Sequence, residues 1–158
     1  MSYDFTADDI FEMAEQIERN GAKFYRTAAE NTADAAAKEL LVEIAAMEDE
    51  HEKTFAQLRS ELTSKEKSST FFDPEGESTL YLRALADTRV FFKKEIDVSS
   101  TEDILKEAIK AEKYSIVFYL GMKDMVPDQL GKGRMDAIIK EEMGHIRILG
   151  KKLISTQK

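Results

Sequence analysis

The chain contains two histidines, and each follows a glutamate by three residues: Glu48 with His51, and Glu142 with His145. Both pairs sit inside a longer internal repeat. A shift of 94 residues lays 9–60 onto 103–154 with 11 identities in 52 positions. That rate is weak for two helical segments, but the identities fall on scarce residues with chemical meaning. Glu18, Phe24 and Tyr25 land on Glu112, Phe118 and Tyr119, and Glu48 and His51 land on Glu142 and His145. Whatever the chain folds into therefore has two related halves, each carrying the same Glu, Tyr and Glu-x-x-His series.

The halves read as helical. Ile10, Met13, Ala14, Ile17, Gly21, Phe24, Tyr25 and Ala28 follow a helical stripe, opened by a Thr6 cap with Asp8 and Asp9 in the first turn. A break at Asn31–Asp34 precedes a second stripe of Leu40, Leu41, Ile44, Met47, Phe55, Leu58 and Leu62. A polar loop over 65–77, holding Pro74 and Gly76, leads to a shorter amphipathic helix over Leu80–Lys94. Ser99, Ser100 and Thr101, followed by Glu102 and Asp103, mark the next start, and Ile104, Leu105, Ala108, Ala111, Ile116, Phe118 and Tyr119 continue it. Pro127 is expected to open the last helix, which carries Ile138, Ile139, Ile146 and Leu149. With 7 Gly and 2 Pro in 158 residues, long helices fit and a many-turned barrel or sandwich does not. The expectation is one all-α domain over 1–158: a helical hairpin at 6–63, a crossover at 64–100 with an added short helix, and a second hairpin at 101–155.

Residues three apart share a helix face, so each Glu-x-x-His pair offers an oxygen and a nitrogen in one direction. Glu18 precedes Glu48 by 30 residues, with the expected turn midway, and Glu112 precedes Glu142 by the same interval. About 15 residues up and back at ~1.5 Å each return the chain to the same height. Each hairpin thus gathers two glutamates and a histidine, on stripes that are otherwise apolar. Four carboxylates converging in a core cannot all ionise without cations. Two divalent metals would balance them, and mixed oxygen and imidazole donors suit iron or manganese, with zinc also accommodated.

The segments AEQIERNGAKFY, MEDEHEKTF, KAEKYSIVFYLGMKDMVP and IIKEEMGHIRIL resemble a rubrerythrin-type di-iron protein of the ferritin-like superfamily, over nearly the whole chain. The resemblance implies an antiparallel four-helix bundle with a dinuclear iron centre in its core. It implies Glu18 and Glu112 as carboxylate ligands from the first and third helices, Glu48 and Glu142 as bridges, and His51 and His145 as one ligand to each metal. Tyr25 and Tyr119 are candidates to hydrogen-bond the ligand carboxylates. Two departures stand out. The chain has no cysteine, so it has no rubredoxin-type site. Ser115 stands where rubrerythrins offer a further glutamate for a redox-linked ligand exchange, and the remaining four-Glu, two-His set is closer to bacterioferritin-type sites.

Glu141 could orient a histidine ring, but its repeat counterpart is Met47, so the balance favours a plain surface carboxylate. Glu12, Glu15, Glu50 and Glu52 read as solvated, and the seven methionines as core packing. Gly131 and Gly133 flank Lys132 without the strand or spacing of a phosphate loop. A net charge of -8 argues against nucleic acid and anionic membranes. No apolar run approaches ~18 residues and the acidic N-terminus lacks a signal core, which gives the expectation of a soluble cytoplasmic protein. The leading expectation is an oxidoreductase reducing hydrogen peroxide or dioxygen, re-reduced by a separate electron-donor protein. A ferroxidase serving iron storage and a non-enzymatic metal-holding module are the alternatives. A homodimer follows from the resemblance and from the prevalence of twofold assemblies.

Overall fold

A computed structural model describes residues 7–62, 77, 80–82, 84, 100–124 and 131–158, and strong helical periodicity with local caps produces four long helices among them. Helix α1 spans Ala7–Asn31, α2 Ala35–Ser60, α3 Thr101–Lys123 and α4 Lys132–Thr156. No strand occurs among the described residues. None of the described helices is long and apolar enough to cross a membrane. Thr6, the loop over 65–76, most of the segment 80–94 and Pro127 lie outside the described residues.

The break between α1 and α2 lies where the sequence puts it. Asp34 takes an extended conformation and its side chain accepts from the Ala37 amide at 3.0 Å, satisfying one orphan donor of the first turn. Ser100 plays the same part for α3, accepting from the Asp103 amide at 3.3 Å. The start of α4 differs from the expectation at Pro127. It follows Gly131, whose φ of 137° is open to glycine and strained for other residues, and whose missing side chain leaves room for Leu58.

Helices α1 and α2 form one hairpin and α3 and α4 the other, with α1 against α3 and α2 against α4. The hairpins meet antiparallel. The last residues of α1 face the first of α3 through the Thr32 and Thr101 hydroxyls, 3.0 Å apart, and Lys152 at the end of α4 reaches Asp34 at the start of α2 at 3.0 Å. At the opposite end, Arg59 ties α2 to α1 through Asp8 at 2.8 and 2.9 Å and Glu15 at 3.0 Å. Glu15 is thus drawn into an ion-pair cluster rather than left in solvent.

Two apolar clusters fill the bundle. One gathers Ile10, Ile17, Phe55, Phe118, Met122 and Ile138 with their neighbours, and Leu82 of the crossover is buried in it. The other gathers Ala28, Leu41, Ile44, Ile104, Leu105 and Leu149. Each fully buried side chain of this size contributes roughly 1.5–3 kcal/mol. Between the clusters each of α1–α4 interrupts its apolar stripe with an acidic residue: Glu18, Glu48, Glu112 and Glu142, all buried. The methionines divide: Met122 and Met135 are core, but Met47 and Met143 are exposed on α2 and α4 and do not pack as expected.

Candidate metal centre

The polar layer brings all six candidate ligands together. One group comprises Glu18, Glu48, His51 and Glu142, the other Glu48, Glu112, Glu142 and His145; in each, one donor atom per residue lies within 4.8 Å of all the others. Glu48 and Glu142 belong to both. Each group therefore combines the Glu, Glu and His of one hairpin with a glutamate of the other, and the internal repeat becomes an approximate twofold axis through the centre.

The histidines present Nδ1 to the carboxylates. His51 Nδ1 lies 2.8 Å from Glu142 and 3.5 Å from Glu18; His145 Nδ1 lies 3.3 Å from both Glu48 and Glu112. The two rings stand side by side with centroids 6.0 Å apart. Each tyrosine reaches across the axis. The Tyr25 hydroxyl donates to Glu112 Oε1 at 2.5 Å, and the Tyr119 hydroxyl donates to Glu18 Oε1. The crossing follows from antiparallel packing: seven residues separate Glu from Tyr in each half, so the Tyr of one hairpin stands level with the Glu of the other.

The electrostatics are those of a site short of positive charge. Burial, then the charge of Glu18, pushes the Glu48 carboxyl well above its ordinary value; burial and the charges of Glu18 and Glu48 do the same to Glu142. At Glu112 burial acts upward, but the close approach of Glu142 and His145 and the hydrogen bond from Tyr25 outweigh it and hold the group low. Burial opposes protonation of His51, yet Glu18 and Glu141 prevail and raise it. Burial and the adjacent carboxylates keep both phenols, Tyr25 and Tyr119, firmly protonated.

The residues present fit a pair of metal ions on three counts. The buried side-chain atoms without a well-formed hydrogen bond, among the described residues, are Glu18 Oε2, Glu48 Oε1, His51 Nδ1, Glu112 Oε2, both oxygens of Glu142 and His145 Nδ1. Every candidate ligand contributes at least one, and none comes from elsewhere. Buried groups left this way cost free energy unless another partner takes them. Second, at Glu18 and Glu112 the tyrosine occupies Oε1 and leaves Oε2 open. Third, a Cβ on Gly21 would approach Glu48 Oε2 to 2.9 Å, so this glycine makes room for that carboxylate.

Two further residues stand at the outer edge of the centre. Glu141 Oε2 lies 2.5 Å from Nε2 of His51, and Met47 Sδ lies 3.4 Å from Nε2 of His145. The sequence offers Glu141 as a residue that could orient a histidine ring, and the antiparallel seam delivers it to the histidine of α2. Gly21 was visible only as a small residue on an apolar stripe.

Residues 9–154 match the family model for rubrerythrin. Among solved structures the chain is similar to a ferritin-like diiron-carboxylate protein from Thermotoga maritima, with a TM-score of 0.74, 22% identity and 99% of each chain covered. At that identity the likeness shows the ferritin-like fold. No curated protein matches the chain.

Proposed function

The chain belongs to the rubrerythrin family, and we propose that it is a non-haem di-iron oxidoreductase that reduces hydrogen peroxide or dioxygen. The observation that carries this reading is the pair of carboxylate–imidazole groups sharing Glu48 and Glu142 in a buried layer. Glu18 and His51 would complete one iron, Glu112 and His145 the other, and the two shared glutamates would bridge them. A bound iron pair supplies two electrons, enough with two protons to take one hydrogen peroxide to two waters, or one dioxygen to peroxide.

The chain's own residues prepare the site for that chemistry. Tyr25 and Tyr119, protonated at neutral pH, each engage one oxygen of a terminal carboxylate and fix which oxygen faces the centre. The apolar clusters above and below keep bulk water away and strengthen every charge interaction between them. Four carboxylates favour the higher oxidation state of a bound metal, which suits a centre that gives electrons away.

No cysteine is present to ligate an iron–sulfur relay, so we assign re-reduction to a separate electron-donor protein. Ser115 is buried and donates to the Ala111 carbonyl at 3.2 Å, leaving four carboxylates and two imidazoles as the donor set. Stopped-flow oxidation of the anaerobic ferrous protein, with peroxide and dioxygen in separate experiments, tests the reading. One oxidation per di-iron centre, followed by arrest until a donor protein is added, is expected. A centre that binds iron but reacts with neither oxidant contradicts it, and continued iron uptake with mineral formation would instead favour a ferroxidase.

A further inference from the structure

The internal twofold relates Glu18 to Glu112, Tyr25 to Tyr119, Glu48 to Glu142 and His51 to His145, but it relates Glu141 to Met47. The outward nitrogens of the two histidines therefore meet different chemistry. Nε2 of His51 faces a carboxylate oxygen at 2.5 Å; Nε2 of His145 faces a thioether sulfur at 3.4 Å. A histidine that ligates through Nδ1 carries its proton on Nε2. Donating that proton to a carboxylate locks the ring and makes Nδ1 a stronger donor, whereas a thioether is a weak acceptor. Glu141 also brings a negative charge to one side only.

We propose that the two metal sites are unequal and fill in order, the site of Glu18, Glu48, His51 and Glu142 first, with Glu141 as the positioning residue that sets the order. This rests on the metal-centre reading above. Outer partners of metal-bound histidines typically change affinity by roughly 10–100-fold, and that is the separation expected between the sites. The His145 site, backed by Met47, is then the labile one. Both controlling side chains lie on the rim, with Glu141 51% and Met47 38% exposed, so exchanging them leaves the apolar clusters untouched.

Because the chain has only two histidines, imidazole NMR of the 15N-labelled metal-free protein separates them, with His145→Gln giving the assignment. Zn2+ serves as the probe, being redox-silent and bound by both carboxylate oxygen and imidazole nitrogen. His51 resonances are expected to move through the first equivalent and those of His145 through the second. Glu141→Met should delay His51 until both fill together, and Glu141→Gln, which keeps an acceptor but loses the charge, should fall between. Met47→Glu should advance His145 into the first equivalent, a gain that a merely structural role does not produce. Circular dichroism checks that each variant remains helical. Simultaneous or reversed filling in the wild type, or an order that Glu141→Met and Met47→Glu leave unchanged, overturns the proposal while leaving the metal centre standing. If neither imidazole responds to excess Zn2+, the metal-centre reading falls and the filling order with it.

Discussion

Replacing Gly21 with alanine should stabilise the metal-free chain and weaken its metal centre, two effects of opposite sign from one methyl group. Gly21 lies inside α1, where alanine is favoured by about 0.8–1.0 kcal/mol. For a chain of this length that raises the melting temperature by roughly 2–4 °C. The added Cβ, however, would stand 2.9 Å from Glu48 Oε2, against 3.4 Å or more for an ordinary contact. The carboxylate has to retreat by about half an ångström, while metal–ligand distances tolerate about 0.2 Å. A loss of roughly 10–100-fold in metal affinity is expected, as for other changes that disturb a ligand through its neighbour. Thermal unfolding with and without metal, together with chelator competition, measures both. Ser115→Ala is the control: position 115 already carries a Cβ, so only the hydrogen bond to Ala111 is lost and metal affinity should hold. If G21A binds metal as tightly as the wild type, the close approach of Glu48 to α1 does not matter and the packing argument fails.

The metal-free protein should lose stability as pH rises. Glu48 and Glu142 are raised above their ordinary values by burial and by neighbouring carboxylates, and His51 is raised by Glu18 and Glu141 despite burial. The folded state therefore binds more protons than the unfolded one above the usual carboxylate range, and this stabilisation disappears as pH passes through the raised values. Metal loading should reverse the slope, because the ligands must deprotonate to bind; urea midpoints from about pH 5 to 8 read both slopes, and a metal-free protein more stable at the alkaline end contradicts the assignment. Tyr119→Phe removes the donor to a buried oxygen of Glu18 and should cost about 1–3 kcal/mol by urea unfolding; a neutral result means that the oxygen finds another partner. Glu48→Ala should abolish stable binding of two metals in a metal count, and Glu50→Ala, exposed and paired with Lys53, should not.

Residues whose meaning depends on period and spacing spoke clearly in the sequence. The apolar stripes, the break at Asn31–Asp34, the helix start at Ser99–Thr101 and the 30-residue interval between glutamates depend on local helix geometry, which a linear chain displays directly. Residues whose meaning depends on how the two hairpins face each other did not. Antiparallel docking puts Glu141 beside His51 rather than His145 and sends Tyr25 to Glu112, while side-chain packing inside the first hairpin sets the Glu48 carboxylate against Gly21. Met47 misled for the same reason: helical spacing places it beside the apolar stripe of α2, but its position at the α2–α4 seam leaves it on the rim. The expected start of α4 at Pro127 lies five residues before Lys132, where the helix begins, because proline's preference for a first helical turn is permissive while the positive φ of Gly131 is a hard stop.

The sharing of Glu48 and Glu142 between two metals is open to a single spectrum. Metal-free protein loaded with two equivalents of Mn2+ and desalted should give the electron paramagnetic resonance signal of an exchange-coupled pair, because carboxylate bridges hold the ions within a few ångströms of each other. Retention of two ions whose spectrum is the simple sum of isolated Mn2+ signals would contradict a bridged centre, as would loss of the metal on desalting.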